Sequence, residues 1–545
     1  MTTKGWDLCV LWKDGSTSWV PLKDLKESNP IEVAEFAVAH KIHHEPAFVW
    51  WVPKVLKTRQ RVLSAVKSRS RYWDKHYKFG IRLPKSPEEA IRFDKENGDN
   101  LWAMAMQKEL QNVDIAFEWL DKGVKPPPGY KKVPYHFVFD IKMDFTRKAR
   151  LVAGGHVTDP PSVMTYSSVV SRDSVRIMFM IAALNELDIM SGDIGNAYLN
   201  AETSEKVYTI AGSEYGEKAG CVMLIRRALY GLKSSGAAFH RHLANSLQSI
   251  GFTSTLSDPD VWYKAAIKPN GEKYYEYILT YVDDILVLSI EPNVTFKHLS
   301  EIYRFKDPPG KPKKYLGADV IEHKFPNDPT QKKRWGLLSD QYVKEAINVV
   351  KKEIIKTGKE FPKRCSSPFP SGYRPELDFT PLLDAETANY YQQVIGILRW
   401  IVELGRIDIH VYVAMLSKYL AQPRSGHLDV AVRIFAYLDS HSRSKMVFDD
   451  TIPKWDENRF VKYDWTEFYQ DSKELIPTNM PEPRGHEVEI NCFVDTDHAG
   501  DRITRRSQTG ILVFLNSAPI IWYSKRQNCV ETSTFGSEFV AIKLQ

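Results

Sequence analysis

The chain has 545 residues, with 74 Lys and Arg against 68 Asp and Glu, 43% hydrophobic residues and a net charge of +6. At roughly 150 residues per domain this suits three or four domains with a large buried core, and the composition excludes wholesale disorder, a collagen-like repeat and a coiled coil. The longest uninterrupted apolar run, Ile177 to Leu184, falls far short of the roughly 18 residues of a membrane helix, and MTTKGWDLCVLWKDG lacks a signal peptide's apolar stretch, so neither a membrane nor a secretory route is expected.

From the N-terminus, LCVLWK and STSWVPL read as short strands around an Asp14-Gly15 turn, and IEVAEFAVAHKI, introduced by Ser28, Asn29 and Pro30, reads as a helix. This predicts a module of at most three strands and one helix. It resembles the chromo-like, SH3-like modules of some retroelement polyproteins, in which Trp6, Trp12 and Trp19 would serve either as an aromatic cage for a methylated lysine or as plain core. Residues 54–85 carry eleven Lys or Arg and one Asp, a net of +10 that leaves the remainder at −4. Such a stretch is either a solvated linker or a contact for a phosphate backbone. Breaker-rich segments at Pro126-Pro127-Pro128-Gly129, at Asp307-Pro308-Pro309-Gly310 and from Phe361 to Pro381 mark boundaries, as does the polar stretch Pro453 to Glu487. Between Pro128 and Gly317 helical patterns alternate with short β-branched runs, which predicts mixed α and β structure.

Two segments in that region carry chemistry. In YILTYVDDILVLSI, two apolar arms flank Asp283-Asp284, the pattern of a hairpin with adjacent carboxylates at its tip. Like charges so close raise each other's pKa and call for a cation, and a hard divalent ion with carboxylate and phosphate ligands answers that need. Asp193, in LDIMSGDIGNAYLNA, ends an apolar run upstream. If its strand pairs with the hairpin, three carboxylates converge on a site for two metal ions about 4 Å apart, the chemistry of nucleotide polymerisation. The chain's other Asp-Asp pair, Asp449-Asp450 in MVFDDTIPKW, has no comparable setting.

SGDIGNAYLNA, ALYGLKSSGAAFHRHL, YVDD, KKYLGADV, YYQQVIGILRWIVELGRIDIHVYVAMLSKYLAQP and FVDTDHAGDRITRRSQTGILVFLNSAPIIWYSKRQ occur in that order. Over about residues 84 to 545 the chain thereby resembles the reverse transcriptase and ribonuclease H portion of a copia-type long-terminal-repeat retrotransposon polyprotein. The resemblance implies an α+β fold: a right-hand polymerase of fingers, palm and thumb, then a connection and a partial ribonuclease H-like fold. The implied divisions are a small module at 1–45, a basic linker at 46–85, the reverse transcriptase at 86–360, the connection at 361–487 and a truncated ribonuclease H-like domain at 488–545.

It further implies that Asp193, Asp283 and Asp284 are the catalytic, metal-binding triad, holding two Mg²⁺ ions or Mn²⁺ in their place. Tyr198 would block a ribose 2′-hydroxyl. In IKMDFTRKARLVAGGH, Lys148 and Arg150 would meet the incoming triphosphate, with Lys142 a competitor for that role. Tyr230, Gly231 and Lys233 fall in the segment that packs against the template–nucleotide pair, although LKSSGAAF places Ser234 and Gly236 where the family has Gln and Pro. Leu316-Gly317 fits a turn near the primer terminus.

In the last segment Asp495 ends the apolar run of INCFVDTDHAGD, and the resemblance makes Asp495 and Glu538 the first ligands of a ribonuclease H site, with Gly536 where another acid is common. The family's remaining ligands come tens of residues later, so a vestigial site without RNA-strand hydrolysis is expected. Implied partners are an RNA and DNA template-primer and deoxynucleoside triphosphates, with no membrane and with a chromatin contact through the N-terminal module. The implied location is intracellular, in cytoplasmic particles or the nucleus. Five scattered cysteines without a C-x-x-C pattern fit a reducing compartment. Two functions remain open: an RNA-directed DNA polymerase, or a catalytically impaired nucleic-acid-binding remnant of a decayed element. Oligomeric state is not legible.

Overall fold

The computed structural model describes residues 3, 5–11, 17–28, 30–53, 55, 77–78, 81–141, 146–158, 165–356, 358–442, 444–455, 464, 466–472 and 477–543. Trp12, Lys142 and most of the basic stretch lie outside them. The chain divides into two compact units, Met1–Gln111 with Tyr135–Val152, and Asn112–Pro134 with Ala153–Gln545.

In the first unit, strands β1 (Asp7–Leu11) and β2 (Thr17–Pro21) pair antiparallel, Asp7 opposite Pro21 and Leu11 opposite Thr17. Helices α1 (Leu22–Ser28) and α2 (Pro30–Ala39) follow at once. Leu22, Leu25, Val33, Ala37, Phe48 and Trp51 form a small core. Trp6 meets the Phe48 ring edge-on at 5.0 Å, whereas Trp19 is 72% exposed. Helix α3 (Pro87–Asn97) starts on Ser86, whose hydroxyl accepts from Glu89 N–H at 3.2 Å, and stops at Gly98, whose φ of +71° favours a residue without Cβ. Asp94 then caps α4 (Leu101–Val113) by accepting from Trp102 and Ala103 N–H at 3.0 and 2.8 Å. Strands β3 (Tyr135–Ile141) and β4 (Arg147–Ala153) make a hairpin beside it. Leu151 N–H donates to Glu109 at 3.0 Å, and Trp102 packs edge-on against Phe139.

The second unit is built around a five-stranded antiparallel sheet. Helix α5 (Arg172–Leu184), capped by Ser171, leads into β5 (Asp188–Asp193). Strands β6 (Glu202–Ile210) and β7 (Val222–Arg227) pair in a second sheet, flanked by 117–119 and 131–132. After α6 (Ser235–Ser249) come β8 (Val261–Ile267), β9 (Lys273–Tyr281) and β10 (Asp284–Ser289), and the central order is 253–254, β8, β9, β10, β5. Alternation along β10 explains how both faces are covered. Ile285 and Val287 pack with Phe239, Leu243 and Leu247 of α6 and with Phe296 and Leu299 of α7 (Pro292–Ile302). Leu286 and Leu288 join a larger cluster with α5 on the opposite face.

That larger cluster continues through β11 (Ala318–His323) and β12 (Arg334–Leu338), and through helices α8 (Asp340–Lys356), α9 (Ala385–Glu403) and α10 (Ser425–Ser440). Its last members, Ala518, Ile520 and Trp522, come from the final sheet of β13 (Ile490–Asp497), β14 (Gln508–Leu515) and β15 (Ala518–Arg526), which carries helix α11 (Thr534–Lys543). Arg176 of α5 pins the junction. Its guanidinium, 4% exposed, donates to the Glu403 and Ile520 carbonyls at 2.8 and 3.2 Å, pairs with Asp173 at 2.8 Å and lies 3.7 Å from the Trp522 ring. The chain is therefore α+β, as its sequence implies.

Candidate active site

Strand register brings the three palm-type carboxylates together. Asp193, the last residue of β5, stands directly opposite Asp284, the first residue of β10. Tyr281 pairs with Asp284, so Val282 and Asp283 make the two-residue turn of the β9–β10 hairpin. Val282 has a φ of +57°, a conformation that costs a β-branched residue on the order of 1–3 kcal/mol. The turn is fastened to β5 by Ile194 N–H donating to the Asp283 carbonyl at 2.8 Å. Gly192 is needed one residue before Asp193, because a Cβ there would fall 2.8 Å from the rings of Phe296 and Phe305.

A fourth residue completes the cluster, and sequence reasoning missed it. Lys306 N–H donates to the Asp193 carbonyl at 2.9 Å, while its ammonium bridges the carboxylates of Asp193 and, at 2.8 Å, Asp283. Burial disfavours that ammonium, but the two carboxylates outweigh burial and hold its pKa above the ordinary lysine value. Asp284 receives no such contact. Burial first, then the charges of Asp283 and Asp193, push its pKa up to about 6. Burial also raises Asp193, partly offset by Lys306.

These donors suit a hard divalent cation, being carboxylate oxygens only, and the Lys306 ammonium marks where two of them converge on positive charge. Among the described residues no group of three or more His, Cys, Asp and Glu side chains closes around one point. Asp449-Asp450 provides the contrast. Asp450 is neutralised by Lys332 and Arg334 at 2.6 and 2.8 Å, which makes that pair structural.

Next to the carboxylates, Asn196 takes a left-handed conformation that starts a tight 3₁₀ turn over Ala197–Asn200. This half-buries Tyr198, whose ring lies 4.8 Å from Tyr230 and 6.1 Å from Phe239. Tyr230 O accepts from Ala153 N–H at 2.7 Å, and Gly231 has a φ of +93°. A Cβ on Gly155 would fall 2.3 Å from the Gly231 carbonyl oxygen, so two backbone segments touch here. The Lys233 ammonium donates to the Thr158 carbonyl at 2.5 Å, and buried Ser234 donates to Glu205 through its N–H and hydroxyl at 2.9 and 2.6 Å. Leu316 and Gly317, with φ of +46° and +90°, are the two turn residues between Tyr315 and Ala318, and a Cβ on Gly317 would sit 3.2 Å from Trp400 of α9. Lys148 and Arg150 belong to the first unit, on β4, where both lie near the half-buried carboxyl of Glu109.

The pair expected in the last segment also meets. Thr496 N–H donates to Asp495 at 2.8 Å and to Glu538 at 3.3 Å, so the two carboxylates share one amide. No described helix is long and apolar enough to cross a membrane.

The family model for reverse transcriptase (RNA-dependent DNA polymerase) matches residues 121–326, the segment that contains this triad. Residues 121–326 are thus similar to reverse transcriptase domains. Across 476 residues the chain is 25% identical to a retrovirus-related Pol polyprotein from transposon TNT 1-94 of Nicotiana tabacum, covering 84% of this chain and 32% of the relative. It is also 25% identical over 461 residues to one from transposon RE1 of Arabidopsis thaliana, covering 82% and 27%. The chain thus spans about a third or less of the length of these curated relatives. A foamy viral protease-reverse transcriptase solved in complex with double-stranded DNA is similar at 12% identity and a TM-score of 0.42, covering 81% of this chain and 58% of that one. The resemblance to a retrotransposon polyprotein with a reverse transcriptase domain is borne out.

Proposed function

We propose that this chain is an RNA-directed DNA polymerase that adds deoxynucleotides to a primer by a two-metal mechanism. The observation that carries this reading is the register of Asp193 opposite Asp284 with Asp283 in the adjoining turn. Asp193, Asp283 and Asp284 would hold two Mg²⁺ ions, which, when bound, supply the charge that activates a primer 3′-hydroxyl and stabilises departing pyrophosphate. The strained Val282 turn and the bond to Ile194 fix the carboxylates before substrate arrives. Tyr198, wedged against Tyr230 and Phe239, closes the space beside the sugar and selects deoxyribose. Lys148 and Arg150 take the triphosphate, the Leu316-Gly317 turn supports the primer, and Tyr230 with Gly231 forms the wall behind the new base pair. The same reading divides the rest of the chain into a small module at 1–45, a basic linker at 46–85, a connection at 361–487 and a ribonuclease H-like segment at 488–545 with the Asp495–Glu538 pair.

Primer extension on an RNA template with Mg²⁺ or Mn²⁺ tests this reading. Extension lost in Asp283→Asn supports it; salt-sensitive binding without extension by the unmodified chain overturns it. The second outcome is that of an impaired nucleic-acid-binding remnant. One observation favours that alternative: Lys233 and Ser234 are both occupied by protein partners in the segment that departs from the family pattern.

A further inference from the structure

The Asp283–Asp284 turn is fastened on its β5 side by Ile194 N–H and by the Lys306 ammonium. Its β9 side has a support of its own. Strand β8 begins at Val261, opposite Leu279, so the outer neighbour of β9 ends just short of the hairpin tip. Three hydrogen bonds meet there on Thr280, three residues before Asp283. Its N–H donates to the Asp260 carbonyl at 3.0 Å, its carbonyl accepts from Val170 N–H at 3.1 Å, and its hydroxyl donates to Oδ1 of Asp260 at 2.9 Å. His240 of α6 reaches the same Oδ1 through Nε2, also at 2.9 Å. Thr280 and Asp260 are buried, whereas the His240 side chain is 30% exposed and open to exchange of its proton with solvent.

A carboxylate shut off from water persists as an anion only where a cation or several hydrogen bonds face it. Burial raises the Asp260 pKa, but hydrogen bonds from His240, Ser168 and Thr280 outweigh burial and hold it below the ordinary aspartate value. The bond to Asp260 in turn raises the His240 pKa by more than burial lowers it. Among the described residues Asp260 is the one charged group that shifts His240. Neighbouring Asp258 is occupied by Asp260 N–H, Ser171 N–H and the Ser174 hydroxyl at 3.1, 2.9 and 2.6 Å. Phe239, the residue before His240, packs against Tyr198, so one turn of α6 touches both the Tyr198 ring and the base of the hairpin. We propose that His240 is a positioning residue for nucleotide addition: as a cation acting through Asp260 and Thr280, it holds the β9 arm of the Asp283–Asp284 turn in line with Asp193. Loss of its proton keeps the hydrogen bond, since a neutral imidazole with Nε2–H still donates, but removes the charge opposite a buried carboxylate. The Asp260 anchor then loosens, and with it the arm that aims the turn. The proposal rests on the polymerase reading for the reaction, while the contacts that carry it lie outside the triad.

The test compares the unmodified full chain with His240→Gln, whose amide still donates to Asp260 but carries no charge. Single-nucleotide extension on an RNA template with Mg²⁺ is followed from about pH 6 to about pH 9, which brackets the imidazole transition. Misplacing a reacting group by about 1 Å costs about a hundredfold, so kcat of the variant should fall about tenfold or more below wild type at the acid end. The two kcat values should converge at the alkaline end, where both side chains are neutral, with KM for the deoxynucleotide unchanged throughout. Amide hydrogen exchange in the peptide 277–288, measured by mass spectrometry without metal or substrate, should quicken in the variant at acid pH and not at alkaline pH, relative to α8. In an Asp260→Asn background no anion needs an answer, so adding His240→Gln should change kcat by less than about twofold. A kcat ratio that is the same at every pH, a change confined to KM, or a full effect of His240→Gln in the Asp260→Asn background overturns the proposal. Wild-type extension by His240→Gln at every pH overturns the positioning role alone, and absence of extension by the unmodified chain with the pH-dependent exchange retained overturns the polymerase reading alone.

Discussion

Replacing Asp284 by Asn removes a charge that the fold holds in an unfavourable place, and the consequence for stability has a definite sign. In the folded chain its pKa lies at about 6 against an ordinary 3.8. Between those values the folded state binds more protons than the unfolded state, so stability falls as pH rises, and the whole penalty applies above pH 6. Two units would correspond to about 3 kcal/mol, but the side chain is only half-buried and solvent screening leaves about 1–2 kcal/mol. Asp284→Asn should recover that amount at pH 8 and about half of it at pH 5. For a unit of this size, with an unfolding entropy of about 2 cal/mol/K per residue, each kcal/mol moves the thermal midpoint by about 1 °C. Differential scanning fluorimetry in EDTA should therefore record a rise of about 1–2 °C at pH 8 and a smaller one at pH 5. Added Mg²⁺ should narrow the difference by favouring the wild type. An equal gain at both pH values, or a loss at pH 8, would refute the electrostatic account of the triad.

Lys306→Met removes the ammonium shared by Asp193 and Asp283; in EDTA at pH 8 it should lower stability by about 1 kcal/mol, with Mg²⁺ restoring the midpoint, and an unchanged midpoint would mean the pairs contribute nothing. Gly155→Ala drives a methyl into the Gly231 backbone, so urea titration should show a loss of roughly 1–3 kcal/mol or more, and wild-type stability would rule out the close approach. Tyr198→Val should raise the ratio of ribonucleotide to deoxyribonucleotide kcat/KM about tenfold, equivalent to about 1.4 kcal/mol of discrimination; an unaltered ratio excludes Tyr198 as the sugar gate.

Local pattern made some of this arrangement legible and left other parts hidden. Apolar arms around Asp283-Asp284 announce the β9–β10 hairpin because both strands and the turn are contiguous. Pairing of β10 with β5 joins residues about ninety positions apart, and periodicity is silent on such partners, so Asp193 is visible as a carboxylate that ends an apolar run while its convergence with the hairpin stays conditional. Lys306 escaped because nothing in YRFKDPPG marks a lysine whose backbone and side chain both return to Asp193. Asp449 and Asp450 read as unremarkable, and their cations, Lys332 and Arg334, lie more than a hundred residues away. In the N-terminal module the pattern allowed three strands, whereas the described residues pair two and pass directly into helices. The convergence of Asp495 with Glu538 depends on where α11 sits against β13, information that helical spacing within α11 does not contain.

Arg176 bears on how the second unit comes apart. Its guanidinium joins the start of α5, the end of α9 and the middle of β15, and Ile520 and Trp522 of β15 share a core with Phe179 and Leu286. Peeling away the last sheet would strand a buried cation and open an apolar wall against α5, the helix that feeds directly into β5 and Asp193. Strain or damage in β15 is thereby felt at the base of the carboxylate cluster, and the two ends of the unit are expected to lose protection from hydrogen exchange together.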